Sequence, residues 1–292
     1  MPRVLIAGCG YVGQATADLF VQAGWAVEGW TASTDSAAAL KSKPYCVRAV
    51  DITRPERVAE HAVEADVIIH CASSGGGGPD AYRRVYLEGA RNLRATFPDA
   101  AFLFTSSTSV YAQHAGEWVD ELSSAEPAHE RGRILRETEE LVLATRGTVA
   151  RLAGLIGPGR SALLRKFLAG EAVRDGECDR FLNHVHRDDS ASALFHLITR
   201  VNADPDNTRD IAIYNVADTS PILQSAAYEW LARRFDRPLP PVGRPSLGRK
   251  RGTSNKRVSS AKLRATGWQP RFPTFENAML ESILPQLDSS GA

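Results

Sequence analysis

The feature that most constrains this chain lies near residue 1. The apolar run Val4–Ala7 gives way to Gly8-x-Gly10-x-x-Gly13, and Val12, Ala15, Leu19 and Phe20 then follow at helical spacing. The run reads as a buried strand and the later residues as an amphipathic helix, so the glycines occupy the turn between them. Glycine permits so sharp a turn and lets backbone N–H groups approach a pyrophosphate, which then sits at the positive end of the helix dipole. Two readings stand: a dinucleotide site, or a tight turn without a ligand. The position between a strand and a helix favours the first.

The same rhythm continues. Short apolar runs predict strands at Arg3–Ala7, Ala26–Trp30, Cys46–Ala49, Val67–His70, Ala101–Thr105 and Thr148–Leu152. Helical patterns fall between them at about 11–23, 55–63, 80–96 and 129–145. Strands alternating with helices predict an α/β fold, a Rossmann-type doubly wound parallel sheet. Beyond Gly154 the rhythm loosens: a Gly157-Pro-Gly159 turn, helices at Leu163–Leu168 and about Asp188–Thr199, and a strand at Ile211–Val216. Residues 1–155 are therefore expected to form the nucleotide domain, with 184–220 returning to it. Residues 156–183 and 221–292 are expected to form a smaller C-terminal substrate lobe. The Pro-, Gly- and Arg-rich stretch Arg237–Thr253 reads as a loop over a substrate site or a mobile linker. Its Arg244, Arg249, Lys250 and Arg251 are a solvated surface or an anion clamp. Gly75–Gly78 reads as a flexible loop.

At 292 residues, 43% hydrophobic and 24% charged, the chain has ordinary globular values. A net charge of +1 gives no electrostatic case for nucleic acid or an anionic membrane. No apolar run is long enough to span a bilayer. No signal peptide is expected, since the first strand begins at residue 3. Cys9, Cys46, Cys71 and Cys178 lack metal spacing, and Cys9 and Cys71 read as small buried thiols, which suits a reducing cytoplasm. The expected partner is a small-molecule substrate, with no metal. A homodimer is compatible with the sequence but not selected by it.

Further motifs fall at the ends of the predicted strands, where open α/β sheets bind ligands. They are Asp51-Ile52, Cys71-Ala72-Ser73-Ser74, Ser106-Ser-Thr-Ser-Val-Tyr111, Arg151–Arg160, Asn183-x-x-His186-x-x-Asp189 and Tyr214-Asn-Val. Over nearly the whole chain this series resembles the extended short-chain dehydrogenase/reductase superfamily, the NAD-dependent epimerase/dehydratase family. Asn255–Gly267-Trp, followed by Pro270-Arg-Phe-Pro, resembles the end of that family's chains.

The resemblance implies NAD or NADP in the nucleotide lobe. It matches Gly8, Gly10, Tyr11, Val12 and Gly13 to the phosphate loop, Asp51 and Ile52 to the adenine, and Cys71, Ala72 and Ser73 to the nicotinamide ribose. Ser107, four residues before Tyr111, matches the serine whose hydroxyl binds the reacting oxygen of the substrate. Ser/Thr clusters also cap strand-to-helix turns, which is the competing reading of Ser107. The Asn183–Asp189 segment is expected to order the lobe junction, with Asp189 capping or bracing the next helix.

The pattern departs from the family at its Tyr-x-x-x-Lys pair. Aligning on Gly132 and Glu139 puts Arg131 at the tyrosine position and Leu135 at the lysine position. Arginine stays protonated and cannot be a general base, although it can bind an anion or stabilise an oxyanion. Glu130, His129 and Tyr111 are the remaining proton-transfer candidates. The alternative is that Glu130, Arg131 and Arg133 are solvated charges on a first helical turn. At the end of the second strand Thr31 stands where a carboxylate would bind a ribose 2′-OH. Thr31, Ser33 and Thr34 carry donors suited to a 2′-phosphate, so NADP is expected, with NAD the alternative. Two functions follow: hydride transfer on a small polar, sugar-like substrate, or nucleotide sensing by a fold that has lost the chemistry.

Overall fold

The computed structural model describes residues 1–176, 179–203, 213–243 and 254–289. Cys178, residues 244–253, Ile211 and Ala212, on which some expectations fall, lie outside them. The chain divides into two compact units, neither contiguous in sequence. The first comprises Met1–Val110, Ala125–Arg151 and Ser190–Tyr214; the second comprises Tyr111–Ser124, Leu152–Asp189 and Asn215–Ala292.

A seven-stranded sheet runs through β1 (Arg3–Ala7), β2 (Ala26–Thr31), β3 (Cys46–Ala49), β4 (Val67–His70), β5 (Ala101–Ser107), β6 (Thr148–Leu152) and β7 (Ile213–Val216). Its spatial order is β7-β6-β5-β4-β1-β2-β3, and neighbours from β3 to β5 pair in parallel. The order reverses direction between β1 and β4, the switch point at which doubly wound sheets bind ligands. Val4, Leu5, Ile6 and Val67–Ile69 are buried on both faces, which explains their unbroken apolar runs. The helices of this unit include α1 (Tyr11–Gln22), α2 (Thr34–Ala38), α3 (Pro55–Glu60), α4 (Pro79–Tyr82), α5 (Gly89–Thr96) and α6 (Glu130–Ala144). α1 turns Val12, Ala17 and Phe20 inward. α4 and α5 are joined by a π-helical turn, Arg83–Glu88, so the single helix expected over 80–96 is broken into three segments. The buried His70 ring meets the Val85 carbonyl within that turn, at 3.1 Å.

An ionic network fixes α6 to the sheet. Glu139, fully buried on α6, takes the Arg151 guanidinium of β6 through two contacts of 3.0 and 2.7 Å. The Ser106 hydroxyl of β5 donates to the same carboxylate at 2.6 Å, and Arg136 pairs with it one helical turn away.

In the second unit, Gly154–Ile156 pairs with His184–His186, and Glu117–Val119 with Lys256–Val258. Its core joins α7 (Ala162–Leu168), α9 (Gln224–Phe235) and α11 (Phe275–Ala278) through Leu164, Phe167, Tyr228, Leu231 and Phe275. α8 (Arg187–Ala203) begins beside His186, whose Nδ1 accepts the Asp188 N–H at 3.1 Å. The histidine therefore caps this helix start. Asp189 instead accepts the N–H groups of Arg271 and Phe272, at 2.7 and 3.0 Å, bracing that loop. α10 (Ala261–Ala265) follows the strand Lys256–Val258. Among the described residues no helix is long and apolar enough to cross a membrane, and no group of three or more His, Cys, Asp or Glu is placed to hold a metal ion.

Candidate functional site

The loop between β1 and α1 is held from both sides. Gly8 adopts φ +106°, and a Cβ built there would lie 2.1 Å from the Ala72 backbone nitrogen. The Cys71 N–H donates to the Ala7 carbonyl at 2.8 Å, and its thiol donates to that of Gly8 at 3.3 Å. Residue 8 must therefore be glycine, because the backbone leaving β4 at Cys71 and Ala72 passes against it. A Cβ on Gly13 would meet the Gly8 carbonyl oxygen at 2.2 Å. Gly10 differs: a Cβ there meets nothing within 4 Å. Gly10 is the N-cap of α1, no side chain caps that helix, and its first turn has no acidic residue. This end of α1 keeps its dipole uncompensated beside open space, a geometry suited to an anion. Val12 is buried in the first turn and Tyr11 is half-buried beside it. Burial pushes the Cys9 thiol up to about 11 and the Cys71 thiol higher still, so neither is a ready nucleophile.

The strand ends around this loop carry the other expected residues. Thr31 is buried, and its hydroxyl donates to the Ser33 carbonyl at 3.1 Å. Ser33 caps α2, accepting the Ser36 N–H and donating to the Ser36 hydroxyl. Both hydroxyl protons are therefore spent locally. Glu28, the earlier carboxylate on β2, accepts from the Trp30 indole at 2.8 Å and pairs with Arg48 at 3.4 Å. Asp51 accepts the N–H and hydroxyl of Thr53 at 3.0 and 2.8 Å. Ile52 is buried against Gly89, where a Cβ would lie 2.8 Å from its methyl group. Ser73 is exposed, and the Gly75 N–H reaches its hydroxyl only at 3.4 Å.

Ser107 ends β5, half-buried, and its Oγ accepts the Ser109 N–H at 3.2 Å. It therefore does cap the turn Thr108–Val110. Its hydroxyl hydrogen has no acceptor among the described residues and remains able to donate. On α6, His129 is the N-cap and its Nδ1 accepts the Gly132 N–H at 2.9 Å. Glu130 is exposed, and the Arg131 guanidinium lies over the Tyr82 ring, 5.5 Å from its centre. Leu135 is buried.

Tyr111 belongs to the second unit. Its hydroxyl is buried within 2.8 Å of the Asp120 carbonyl and 2.9 Å of Asn215 Oδ1. Lys256, which no spacing in the sequence marks as functional, donates to the Tyr111 carbonyl and to the Ser254 hydroxyl, each at 3.0 Å. Burial pushes its ammonium down to about 8, against the opposing charge of Glu117.

A doubly wound sheet with a glycine turn and an uncapped helix at its switch point defines the dinucleotide-binding class of α/β domains. The family model for the NAD dependent epimerase/dehydratase family matches residues 4–217, and the chain belongs to that family. Protein YeeZ of Escherichia coli strain K12 is 29% identical over 270 residues, covering 86% of this chain and 90% of that one. A Methylobacillus flagellatus structure described as an NAD-dependent epimerase/dehydratase is 27% identical with a TM-score of 0.80, covering 98% of this chain and 99% of its own. The UDP-glucose 4-epimerase of Thermotoga maritima, solved with UDP-glucose, shares the fold at a TM-score of 0.81 and 16% identity, over 99% of this chain and 100% of that one.

Proposed function

We propose that this protein binds NADP at the Gly8–Gly13 loop and acts on a small polar, sugar-nucleotide-like substrate by hydride transfer. The observation that carries the reading is Gly10, open on its Cβ side at the uncapped start of α1. Gly8, Gly10, Tyr11, Val12 and Gly13 would hold the pyrophosphate. Thr31 and Ser33 would border the adenosine ribose, Asp51 and Ile52 the adenine, and Cys71, Ala72 and Ser73 the nicotinamide ribose. When bound, the nicotinamide supplies the hydride donor or acceptor. Ser107 supplies a hydroxyl hydrogen to the reacting oxygen. Titration with NADPH and NADH, followed by a screen of sugar nucleotides for cofactor turnover, tests the reading.

Gly10→Ala is expected to fold normally yet lose roughly tenfold or more in NADPH affinity, because the methyl group occupies the space a phosphate needs. Gly8→Ala is the contrasting control and should fail to fold well, since its Cβ would overlap Ala72. Unchanged calorimetric affinity in a folded Gly10→Ala protein would refute the site.

Support for NADP over NAD comes from residue 31, where no carboxylate stands to repel a 2′-phosphate. Because the Thr31 and Ser33 hydroxyls donate locally, the preference rests on missing repulsion rather than on their hydrogen bonds. Thr31→Asp should turn the preference toward NADH. Tighter NADH than NADPH binding by the unaltered protein would defeat the NADP assignment.

A second reading, a nucleotide sensor without turnover, is favoured by α6. Arg131 is engaged with Tyr82, Leu135 is buried and Glu130 faces solvent. Nucleotide binding with no turnover across the screen would select it.

A further inference from the structure

Oxidation of an alcohol by hydride transfer also releases the hydroxyl proton, so the reaction proposed above needs a proton acceptor near Ser107. The three candidates named from the sequence are engaged elsewhere or face solvent. His129 caps α6 through Nδ1, Glu130 is exposed, and the Tyr111 hydroxyl is buried against Asp120 and Asn215. A fourth group, Tyr82, ends α4 half-buried, with the Arg131 guanidinium 5.5 Å from its ring centre. The fold brings it to the end of the sheet that carries Ser107. β4 and β5 are parallel neighbours, so the chain leaves both at one edge; α4 follows the exit of β4, and Ser107 ends β5. α6 packs on the turn Thr108–Val110 that follows Ser107, and α4 packs on α6.

Resting on that hydride-transfer reading, we propose that Tyr82 is the proton-transfer group of the site and that Arg131 stabilises its phenolate. A guanidinium stays protonated in proteins, and a cation within about 4–6 Å of an acid favours the ionised form. A phenol under such a cation ionises more readily than a free one, which general-base work near neutral pH requires. Tyr86, four residues on, packs its ring 4.9 Å from that of Tyr82 and restrains it. The other charges on these elements are engaged or exposed. Glu137 pairs with Arg83 and Arg91, Arg133 donates to the Ala128 carbonyl, Arg136 pairs with Glu139, and Asp80 lies in the first turn of α4 itself. In the oxidative direction the substrate's O–H proton passes to the Tyr82 phenolate while its C–H hydride passes to the oxidised nicotinamide. The O–H and C–H bonds break, a C=O bond forms, and the half-buried phenol then returns its proton to water. Arg131 thus acts on Tyr82 rather than on an anionic substrate.

A first measurement needs no substrate. Phenolate absorbance is titrated against pH, and subtracting the curve of Tyr82→Phe from that of the unaltered full chain isolates one phenol among the seven tyrosines. Tyr82 is expected to ionise roughly tenfold or more as readily as free tyrosine, whose pKa is about 10. Arg131→Gln should remove most of that gain, and Arg131→Lys, which keeps the charge, should retain it. Urea midpoints of the same preparations show that each variant is folded. On the sugar nucleotide found by the screen, Tyr82→Phe should lower kcat about a hundredfold or more with KM little changed. Arg131→Gln should move the acid limb of the oxidative kcat profile to higher pH by the factor seen in the phenol titration, which a merely structural contact would not do. A Tyr82 that ionises like free tyrosine, or a Tyr82→Phe protein that keeps its kcat, overturns the assignment and leaves the proposed function standing. A readily ionised Tyr82 in a chain that turns over no sugar nucleotide overturns the hydride-transfer reading, and the assignment falls with it.

Discussion

Glu139→Ala is expected to destabilise the protein by about 3–5 kcal/mol, the cost of breaking a buried ion pair by removing one partner. The group most affected is Arg151, 1% exposed, whose guanidinium makes two contacts with Glu139. Arg136 suffers less, because it is a quarter exposed and reaches water. Ser106 also loses its acceptor. Against a total stability of about 5–15 kcal/mol this is a large fraction, and urea unfolding of the full chain measures it directly. The double variant Glu139→Leu, Arg151→Met should be less destabilised than Glu139→Ala, because removing both charges leaves neither one buried alone. A loss below about 1 kcal/mol in Glu139→Ala would mean that Arg151 finds another partner or water.

The second large effect concerns rate. Ser107→Ala is expected to lower turnover by about 10²–10³ on whichever sugar nucleotide the screen identifies, the usual consequence of removing a positioned donor to a reacting oxygen. Ser107 also caps the turn at Thr108–Val110, so the variant should lose about 0.5–2 kcal/mol of stability. The two roles separate cleanly. Ser107→Thr keeps a hydroxyl for both and should recover most of the rate and stability. If Ser107→Ala loses stability but keeps its kcat, the serine is a cap alone.

The sheet was legible because its central strands are buried on both faces. Val4–Ala7 and Val67–Ile69 have no solvent side to break their apolar runs. The glycine loop was legible in kind, and the structure separates its members: Gly8 and Gly13 meet backbone, while Gly10 meets open space. The charged residues were harder. Glu137, Glu139 and Glu140 look alike in sequence, yet only Glu139 turns fully inward, toward an arginine on another strand. His129 was a proton-transfer candidate by residue type and is a helix cap by geometry. The short helix α2 was missed because five residues leave too little periodicity to read.

The outer strand of the sheet has a bearing on how the molecule is made. β7 lies beside β6 but is encoded after Leu152–Asp189, a long stretch of the other unit. A ribosome therefore delivers β1 to β6 first and leaves the flank of β6, five residues all buried in the finished protein, uncovered until residue 216 emerges. During that interval the nascent sheet presents an apolar edge, the kind of surface that recruits chaperones or other chains. A fragment cut near Arg151 would be held permanently in that state. An expressible nucleotide unit must carry the β7 segment, joined across the excised insert or rebuilt by circular permutation.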